Sequence, residues 1–272
     1  MFRTRLLSGI ILMLITLIIV VLGGDLLFAS LFIISIIGLT ELYKVVDVNK
    51  SFPGVIGYGA AAVFYLLLYL GMEQYQLMMF ILFLMLLMFA YVFAFPKFKA
   101  DQITVVFFGL FYVGIMLSYI YRVRMLEDGA ILVWLIFIGA WGSDTFAYCV
   151  GVLIGKHKFA PKLSPKKSME GCIGGVVGAA ILGLLFALIF RDRIHGIYNP
   201  NLSFALIGAA SSIISQIGDL AASAIKRNHD IKDYGNLIPG HGGILDRFDS
   251  IIFTAPIVYY LATLVDICPL KR

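Results

Sequence analysis

The chain has 272 residues, of which 61% are hydrophobic and 14% are charged, and its mean hydropathy is +0.98. These values lie far outside the usual balance of hydrophobic and charged residues in a soluble globular domain, so the composition indicates a protein embedded in a lipid bilayer. The net charge of +5 comes from basic loops between apolar runs, and it therefore does not indicate a nucleic-acid partner.

Apolar runs long enough to cross a hydrocarbon core recur along the chain, which predicts an all-α polytopic membrane protein with about nine transmembrane helices. The runs lack the strict alternation of a transmembrane barrel. Arg3 and Arg5 precede the first run as in a signal peptide, but no small-residue cleavage site follows, so we interpret that run as a span. The predicted spans are 6–22, 26–42, 55–70, 77–95, 103–120, 130–154, 172–190, 202–225 and 251–268.

Basic residues are distributed unevenly between the two sides that these spans define. With the N-terminus in the cytoplasm, the opposite side holds only six of the 21 Lys and Arg residues. Those six are Arg122, Arg124, Arg191, Arg193, Lys271 and Arg272. Because cytoplasmic loops carry the excess of positive charge, we predict a cytoplasmic N-terminus and an external C-terminus.

Polar chemistry is concentrated in the second half of the chain. The spans before residue 130 contain almost no ionisable side chain, which is typical of a membrane anchor. Asp144 and Asp219, in contrast, lie inside predicted spans, where an unpaired charge costs at least about 2.5–3.5 kcal/mol. We therefore predict an N-terminal anchor (1–130) and a catalytic transmembrane domain (131–272) whose helices form a polar cavity facing the cytoplasm.

The surroundings of the two aspartates allow a structural and a functional interpretation. Ser215, Asp219, Ser223 and Lys226 recur at helical spacing and share one face, which is consistent either with a site or with an ion pair between Asp219 and Lys226. Trp141, Asp144 and Tyr148 likewise share a face, which is consistent with a site or with an aromatic packing stripe.

The predicted cytoplasmic loop 156–171 is basic and leads into a glycine-rich helix. Positive-inside bias by itself explains its lysines. Ser168, however, is placed to cap the following helix, and Glu170 suits the first turn of that helix. Free amides at a helix N-terminus, with Lys166 or Lys167 beside them, are typical of a phosphate site.

The loop 226–249 mixes cations, carboxylates and glycines in one short segment. Gly240, Gly242 and Gly243 surround His241, and they permit left-handed backbone angles and close approach of main-chain amides to a ligand. Asp246 and Asp249 are three residues apart and so share a helix face, with Arg247 beside them. The helix dipole alone is a simpler explanation for these acids.

Residues Ser223 to Asp249 resemble the signature of the phosphatidate cytidylyltransferases, also called CDP-diglyceride synthases. Every specified position of that signature is matched. The specific matches are Ser223, Lys226, Arg227, Lys232, Asp233, His241, Gly242, Gly243, Asp246, Arg247 and Asp249. An earlier block also resembles the family, with serine at 168 where threonine is frequent: Asp144, Ala147, Tyr148, Ser164, Pro165, Lys166, Lys167, Ser168, Glu170 and Gly171.

The resemblance implies transfer of CMP from CTP to phosphatidate in a bacterial cytoplasmic membrane, with Mg²⁺ as the cofactor and the active site on the cytoplasmic side. It implies Asp219 and Asp246 as metal ligands, with Asp144 and Asp249 as further candidates. It implies five catalytic residues, of which the three basic ones act on the phosphates: Asp219, Asp246, Lys167, Arg247 and His241. The implied substrate-binding residues are Ser164, Lys166, Ser168, Ser223, Lys226, Arg227, Lys232, Gly242 and Gly243.

Two other functions compete with this interpretation. A CTP-using polyprenol kinase shares parts of the second half of the chain. The complete match of residues Ser223 to Asp249 to the cytidylyltransferase signature disfavours that function. Asp144 and Asp219 are also compatible with a secondary transporter, although the two halves show no inverted repeat. The sequence leaves open a homodimer, a second cation, the acyl-chain preference and the route of lipid entry.

Overall fold

The computed structural model describes residues 2–266, and it is nearly all helical. The helices are α1 (Phe2–Leu22), α2 (Gly24–Val45), α3 (Phe52–Tyr69), α4 (Gln76–Phe93), α5 (Ala100–Gly109), α6 (Met116–Arg124), α7 (Gly129–Phe137), α8 (Ser143–Ile154), α9 (Met169–Ile189), α10 (Pro200–Asn228) and α11 (Leu245–Asp266). Two short strands, β1 (Lys158–Ala160) and β2 (Ser164–Ser168), lie between α8 and α9. Short π-helical segments, Leu110–Ile115 and Ile138–Gly142, join α5 to α6 and α7 to α8.

Seven helical segments of the described chain are long and apolar enough to cross a membrane, which confirms the predicted polytopic helical architecture. They are Gly24–Val45, Phe52–Tyr69, Glu73–Phe93, Ala100–Arg124, Gly129–Ile154, Met169–Ile189 and Pro200–Asn228. Each corresponds to one predicted span. The first predicted span corresponds to a shorter apolar stretch, Leu6–Leu22, and the ninth overlaps α11, while its predicted end at Cys268 lies outside the described residues.

The chain divides into two compact units. The first contains the chain up to Ser118 together with the segment Asp233–Asp246, and the second contains Tyr119–Lys232 together with the chain from Arg247 onward. The glycine-rich part of the second polar loop therefore packs with the N-terminal helices. This structural division differs from the functional division that the sequence predicts near residue 130, which stays a prediction.

The buried face of α2, in the first unit, includes a polar contact. The hydroxyl groups of Ser35 and Tyr65 are 2.7 Å apart, and the Tyr65 hydroxyl also donates to the Gly114 carbonyl at 3.3 Å. Gly114 belongs to the π-helical segment, where the regular ladder of backbone bonds is interrupted. The tyrosine thus satisfies a backbone carbonyl in a part of the chain that has no water available.

The second unit is held together by small residues at the contacts of α8, α9 and α10. A side chain at Gly178 would collide with Phe146 of α8, and one at Gly208 would collide with the backbone of Ala179 in α9. The Ser143 and Ser212 hydroxyl groups are 2.6 Å apart and join α8 to α10. Glycine allows helix backbones to approach closely, which is the usual basis of helix packing in lipid.

The two strands form a hairpin where the sequence predicts only a loop. β1 and β2 pair antiparallel, with Lys158 opposite Ser168 and Ala160 opposite Ser164. Pro165 is tolerated in β2 because a two-stranded hairpin has outer edges that need no ladder donor. Three-residue and five-residue strands are too short to produce a clear alternating pattern, so this element was not predictable from periodicity.

Candidate active site

Lys167 and Asp219 form a salt bridge that joins the hairpin to α10. Lys167 Nζ lies 2.6 Å from Asp219 Oδ2, and the two side chains are 20% and 29% exposed. The pairing explains how α10 tolerates a carboxylate inside an apolar helix. The sequence left open a pair between Asp219 and Lys226, whereas the structure pairs Asp219 with a lysine from the preceding polar loop.

Two further carboxylates lie close to this pair. Asp144 of α8 and Asp249 of α11 are both within electrostatic range of Asp219. Asp249 comes near because Gly218 lets α11 approach α10: a side chain at Gly218 would lie 2.9 Å from the Asp249 carbonyl oxygen. The second unit therefore contains three of the four predicted metal ligands, within electrostatic range of one another.

Cations offset part of this negative charge. Lys167 and Arg247 act electrostatically on Asp144, and Lys226 acts on Asp249. Arg247 is exposed, whereas Lys226 is half-buried. Alternating acids and bases of this kind suit a site that must accept both a cation and an anionic substrate.

A cavity of about 390 Å³ lies beside the Asp219 pair. It is lined by Asp144, Ala147, Tyr148, Gly151, Val152, Lys158, Lys166, Lys167, Ser168, Gly171, Cys172 and Gln216. Tyr148 is 73% exposed, and Trp141 instead packs on Phe137 with ring centroids 5.0 Å apart. The face shared by Trp141, Asp144 and Tyr148 is therefore not a continuous aromatic packing stripe, and two of its three residues line the cavity.

The start of α9 has the cap that the sequence predicts. Ser168 Oγ accepts the Gly171 amide at 3.2 Å, and Ser168 is buried, so its hydroxyl is engaged in the cap. Glu170 accepts the backbone amides of Lys156 and His157, and its Oε1 lies 2.6 Å from His157 Nδ1. Glu170 thus fixes the base of the hairpin that carries Lys166 and Lys167, a role not predicted from the sequence.

In the first unit, the glycine-rich loop adopts the backbone conformation expected from its glycines. Gly240 and Gly242 have φ angles of 78° and 89°, which confirms the predicted left-handed geometry at these two positions. Ile238 and Gly242 form an isolated antiparallel bridge across the turn. Gly243 has a different constraint, because a β-carbon there would collide with both carboxylate oxygens of Glu41.

Asp246 organises the same loop. Its Oδ2 atom accepts the backbone amides of Tyr234 at 2.8 Å and Gly243 at 2.9 Å, and the residue is 7% exposed. The predicted metal ligand is therefore also a structural anchor of the loop. Its assignment to the metal stays a prediction.

Two residues of the predicted anchor region contact the loop and were not identified from the sequence. Glu41 of α2 accepts the Ile244 and Leu245 amides, and Ser8 of α1 lies 2.9 Å from His241 Nδ1. The Ser8 hydroxyl also donates to the Pro239 carbonyl at 3.1 Å, so α1 contacts the turn at two points. Glu41 had a signal in the sequence, since it is an acid inside an apolar run, as Asp144 and Asp219 are.

Four more of the predicted site residues belong to the second unit. Ser164 is the first residue of β2, and Ser223 is half-buried on α10 one turn after Asp219. Arg227 donates to the Ile231 carbonyl at 3.4 Å, and Lys232 is exposed. The assignment of all four residues to substrate stays a prediction.

The acids of the second unit fit a magnesium ion by their chemistry. Asp144, Asp219 and Asp249 supply carboxylate oxygens, and Ser215, one turn before Asp219, has a buried hydroxyl with no hydrogen-bond partner among the described residues. Within residues 2–266, no three His, Cys, Asp or Glu residues form a ready-made metal cage. Mg²⁺ is commonly bound by one or two carboxylates together with water and substrate phosphates, so this donor set suits an ion that binds with a nucleotide.

Comparison with known proteins gives consistent results over nearly the whole chain. Residues 3–265 match the model of a family described as the cytidylyltransferase family. A phosphatidate cytidylyltransferase of Bacillus subtilis is 33% identical over 273 residues, which cover 96% of this chain and 98% of that protein. One from Staphylococcus haemolyticus is 35% identical over 263 residues, covering 95% and 98%. One from Rickettsia prowazekii is 36% identical over 152 residues, covering 56% and 67%.

Proposed function

The chain belongs to the cytidylyltransferase family, and we propose that it is an integral membrane enzyme that transfers CMP from CTP to phosphatidate. The products are CDP-diacylglycerol and pyrophosphate, so the enzyme belongs to phospholipid biosynthesis. The observation that carries the proposal is the similarity of this chain to two proteins named phosphatidate cytidylyltransferase, which extends over nearly the full length of both. The acid and lysine cluster beside the cavity is the arrangement that this chemistry needs.

The reaction joins two strongly anionic molecules. A phosphate oxygen of phosphatidate attacks the α-phosphorus of CTP, and the bond from that phosphorus to the bridging oxygen of pyrophosphate breaks. Because a phosphate monoester has a second pKa of about 6, the nucleophile is already ionised near neutral pH and needs no dedicated general base. The protein must instead lower the repulsion between the substrates and stabilise the charge of the transition state.

Lys167 is the residue best placed for this task. Its ammonium group is held by Asp219 at 2.6 Å, and its side chain lines the cavity together with Lys158 and Lys166. In our proposal Lys166 and Lys167 bind phosphate oxygens, and Arg247 and Lys226 add positive charge next to Asp144 and Asp249. His241, Arg227 and Lys232 are proposed as further phosphate contacts.

Mg²⁺ is the proposed cofactor, held by Asp219 with Asp144 and Asp249 as additional ligands. When bound, such an ion neutralises phosphate charge and polarises the phosphorus centre. Asp219 also holds the ammonium group of Lys167 in place. Three carboxylates exceed the one or two that a single Mg²⁺ ion commonly takes from a protein, which leaves room for a second cation.

The proposed topology has nine spans, with the shorter α1 and the final helix α11 added to the seven long apolar segments. The N-terminus and both polar loops then face the cytoplasm, where CTP is available, and the protein lies in a bacterial cytoplasmic membrane. A homodimer is compatible with this scheme, which does not require a second copy for the chemistry.

The direct test uses purified protein, labelled CTP, phosphatidate and Mg²⁺, and measures CDP-diacylglycerol and pyrophosphate. A polyprenol replaces phosphatidate in a parallel reaction, because a kinase would instead transfer the γ-phosphate and release CDP. Thermal unfolding measured with CTP and Mg²⁺, or with ATP and Mg²⁺, separates nucleotide binding from loss of turnover. Absence of CDP-diacylglycerol from folded protein that binds CTP would contradict the proposed function.

A further inference from the structure

Glu41 of α2 is buried against the glycine-rich loop of the first unit. Its side chain is 4% exposed, and each carboxylate oxygen accepts one backbone amide of the loop: Oε1 that of Ile244 at 3.0 Å and Oε2 that of Leu245 at 2.9 Å. A buried carboxylate is costly unless such donors satisfy it, so its placement requires the loop to be present in this conformation.

The loop is shaped to receive this carboxylate. A β-carbon at Gly243 would collide with both Glu41 oxygens, and one at Gly235 would lie 2.5 Å from Oε1. The φ angle of Gly243 is not in the left-handed region, so its lack of a side chain is explained by the approach of Glu41 rather than by backbone strain.

Two acids share the backbone amides of this turn. Asp246 takes the amides of Tyr234 and Gly243, and Glu41 takes the next two amides, those of Ile244 and Leu245. Three consecutive amides at the start of α11 are therefore occupied by carboxylates of the protein itself, and they are not available to substrate phosphates. Within the glycine-rich part of the loop, the segment proposed to contact substrate is therefore the turn Gly240–Gly242, which contains His241.

We propose that Glu41 is a positioning residue, which holds the start of α11 so that the turn around His241 keeps the conformation required for turnover. The inference rests on the proposed function, which assigns His241 of this turn to the substrate phosphates. It also gives α2, which belongs to the predicted anchor, a direct part in the organisation of the loop that carries His241.

The test compares Glu41→Gln with Ser35→Ala. Ser35 is a suitable control because it lies on the same helix, is fully buried and forms a side-chain hydrogen bond, but it contacts Tyr65 instead of the loop. In Glu41→Gln one oxygen becomes an amide group that faces an N–H donor, so one of the two bonds is lost. Glu41→Ala removes both bonds and should have the larger effect.

Hydrogen exchange of the intact protein measures the anchoring itself. We expect the amide of Ile244 or of Leu245, whichever faces the NH2 group of the new glutamine, to exchange at least about tenfold faster in Glu41→Gln than in the parent, and both amides to do so in Glu41→Ala. Ser35→Ala should leave their exchange rate unchanged. Equal protection of these amides in the parent and in Glu41→Gln overturns the proposal.

Kinetics then show whether the anchoring matters for turnover. We expect kcat/KM to fall about tenfold or more in Glu41→Gln, at a Tm no lower than that of Ser35→Ala. Faster exchange with unchanged kcat/KM overturns the positioning role while leaving the proposed function intact. An inactive parent overturns the proposed function instead, and the exchange data still decide whether Glu41 holds the loop.

The variant Gly243→Ala tests the same contact from the loop side. Its β-carbon would press on the Glu41 carboxylate, so its effect on exchange should be much smaller when Glu41 is already alanine. Strictly additive effects of Gly243→Ala and Glu41→Ala would show that the two residues do not act through each other, which contradicts the proposal.

Discussion

Lys167 Nζ lies 2.6 Å from Asp219 Oδ2, so a lysine of the hairpin and an aspartate of α10 meet at the wall of the cavity. The two side chains are 20% and 29% exposed, but the ammonium nitrogen itself is buried, so Asp219 holds the ammonium group in a fixed position. An ammonium ion held in this way acts on anionic substrates without having to be reorganised during the reaction.

Replacing Lys167 should therefore impair turnover much more than folding. We expect Lys167→Ala to lose about 2–4 kcal/mol of transition-state stabilisation, measured as kcat/KM. Lys162→Ala is the matched control, since Lys162 is an exposed lysine of the same hairpin that does not line the cavity. Arg247→Ala should behave as Lys167→Ala does. Parental kcat and KM in either site variant would remove that residue from the site.

Asp219 is expected to be essential for turnover and dispensable for folding. Asparagine keeps the size of aspartate and leaves a carbonyl oxygen facing Lys167, but it removes the charge that compensates a buried ammonium nitrogen, so Asp219→Asn should stay folded with a modestly lower Tm. If Asp219 ligates Mg²⁺, activity per folded molecule should fall by more than about 100-fold. Manganese binding, followed by electron paramagnetic resonance, should weaken in parallel. Full manganese binding with substantial turnover would defeat the metal assignment.

Two substitutions of Asp246 separate its structural role from a metal role. Both amides that it binds converge on one oxygen, Oδ2, so the single carbonyl oxygen of Asp246→Asn can still accept them. Asp246→Ala loses both bonds and should be destabilised by about 1–3 kcal/mol in chemical denaturation. We expect Asp246→Asn to remain folded and to lose activity. An active Asp246→Asn variant would leave this residue with the structural role alone.

The native thiol of Cys172 reports on the cavity, because Cys172 lines it together with Lys167. Modification of Cys172 by a small thiol reagent should be slowed by CTP with Mg²⁺, since the nucleotide would cover this wall. Mass spectrometry of the labelled peptide measures the rate, and Cys172→Ser identifies the signal. Labelling that is unaffected by saturating CTP would show that the nucleotide binds elsewhere.

The topology is tested by single cysteines in a background where Cys149, Cys172 and Cys268 are replaced by serine. Lys162→Cys in the hairpin turn and Leu237→Cys in the exposed loop should resist an impermeant reagent added to intact cells. Asp192→Cys, in the short helical turn Arg191–Arg193, should react with it. External labelling of either loop position would contradict the proposed orientation of the membrane spans.

Local features of the sequence were sufficient for the helices and for several details at their ends. Helix positions follow from the length of the apolar runs, because a span must match the thickness of the hydrocarbon core. The Ser168 cap and the positive φ angles of Gly240 and Gly242 depend on the properties of the residue itself, so they could be predicted. The hairpin was missed because its strands are too short to show a period.

The partners of the charged residues were decided by tertiary structure. Helical periodicity identified the face that Asp219 occupies, but it carried no information on which residue lies opposite, and that residue is Lys167 rather than one on the same helix. In the same way, an acid in an apolar run marks Glu41 as costly, while only the folded chain shows that the Ile244 and Leu245 amides satisfy it. Composition and local pattern thus determined the membrane architecture and the chemical character of the site, because both depend on short-range properties. The pairing of charges depends on contacts between distant segments, which form only when the helices pack.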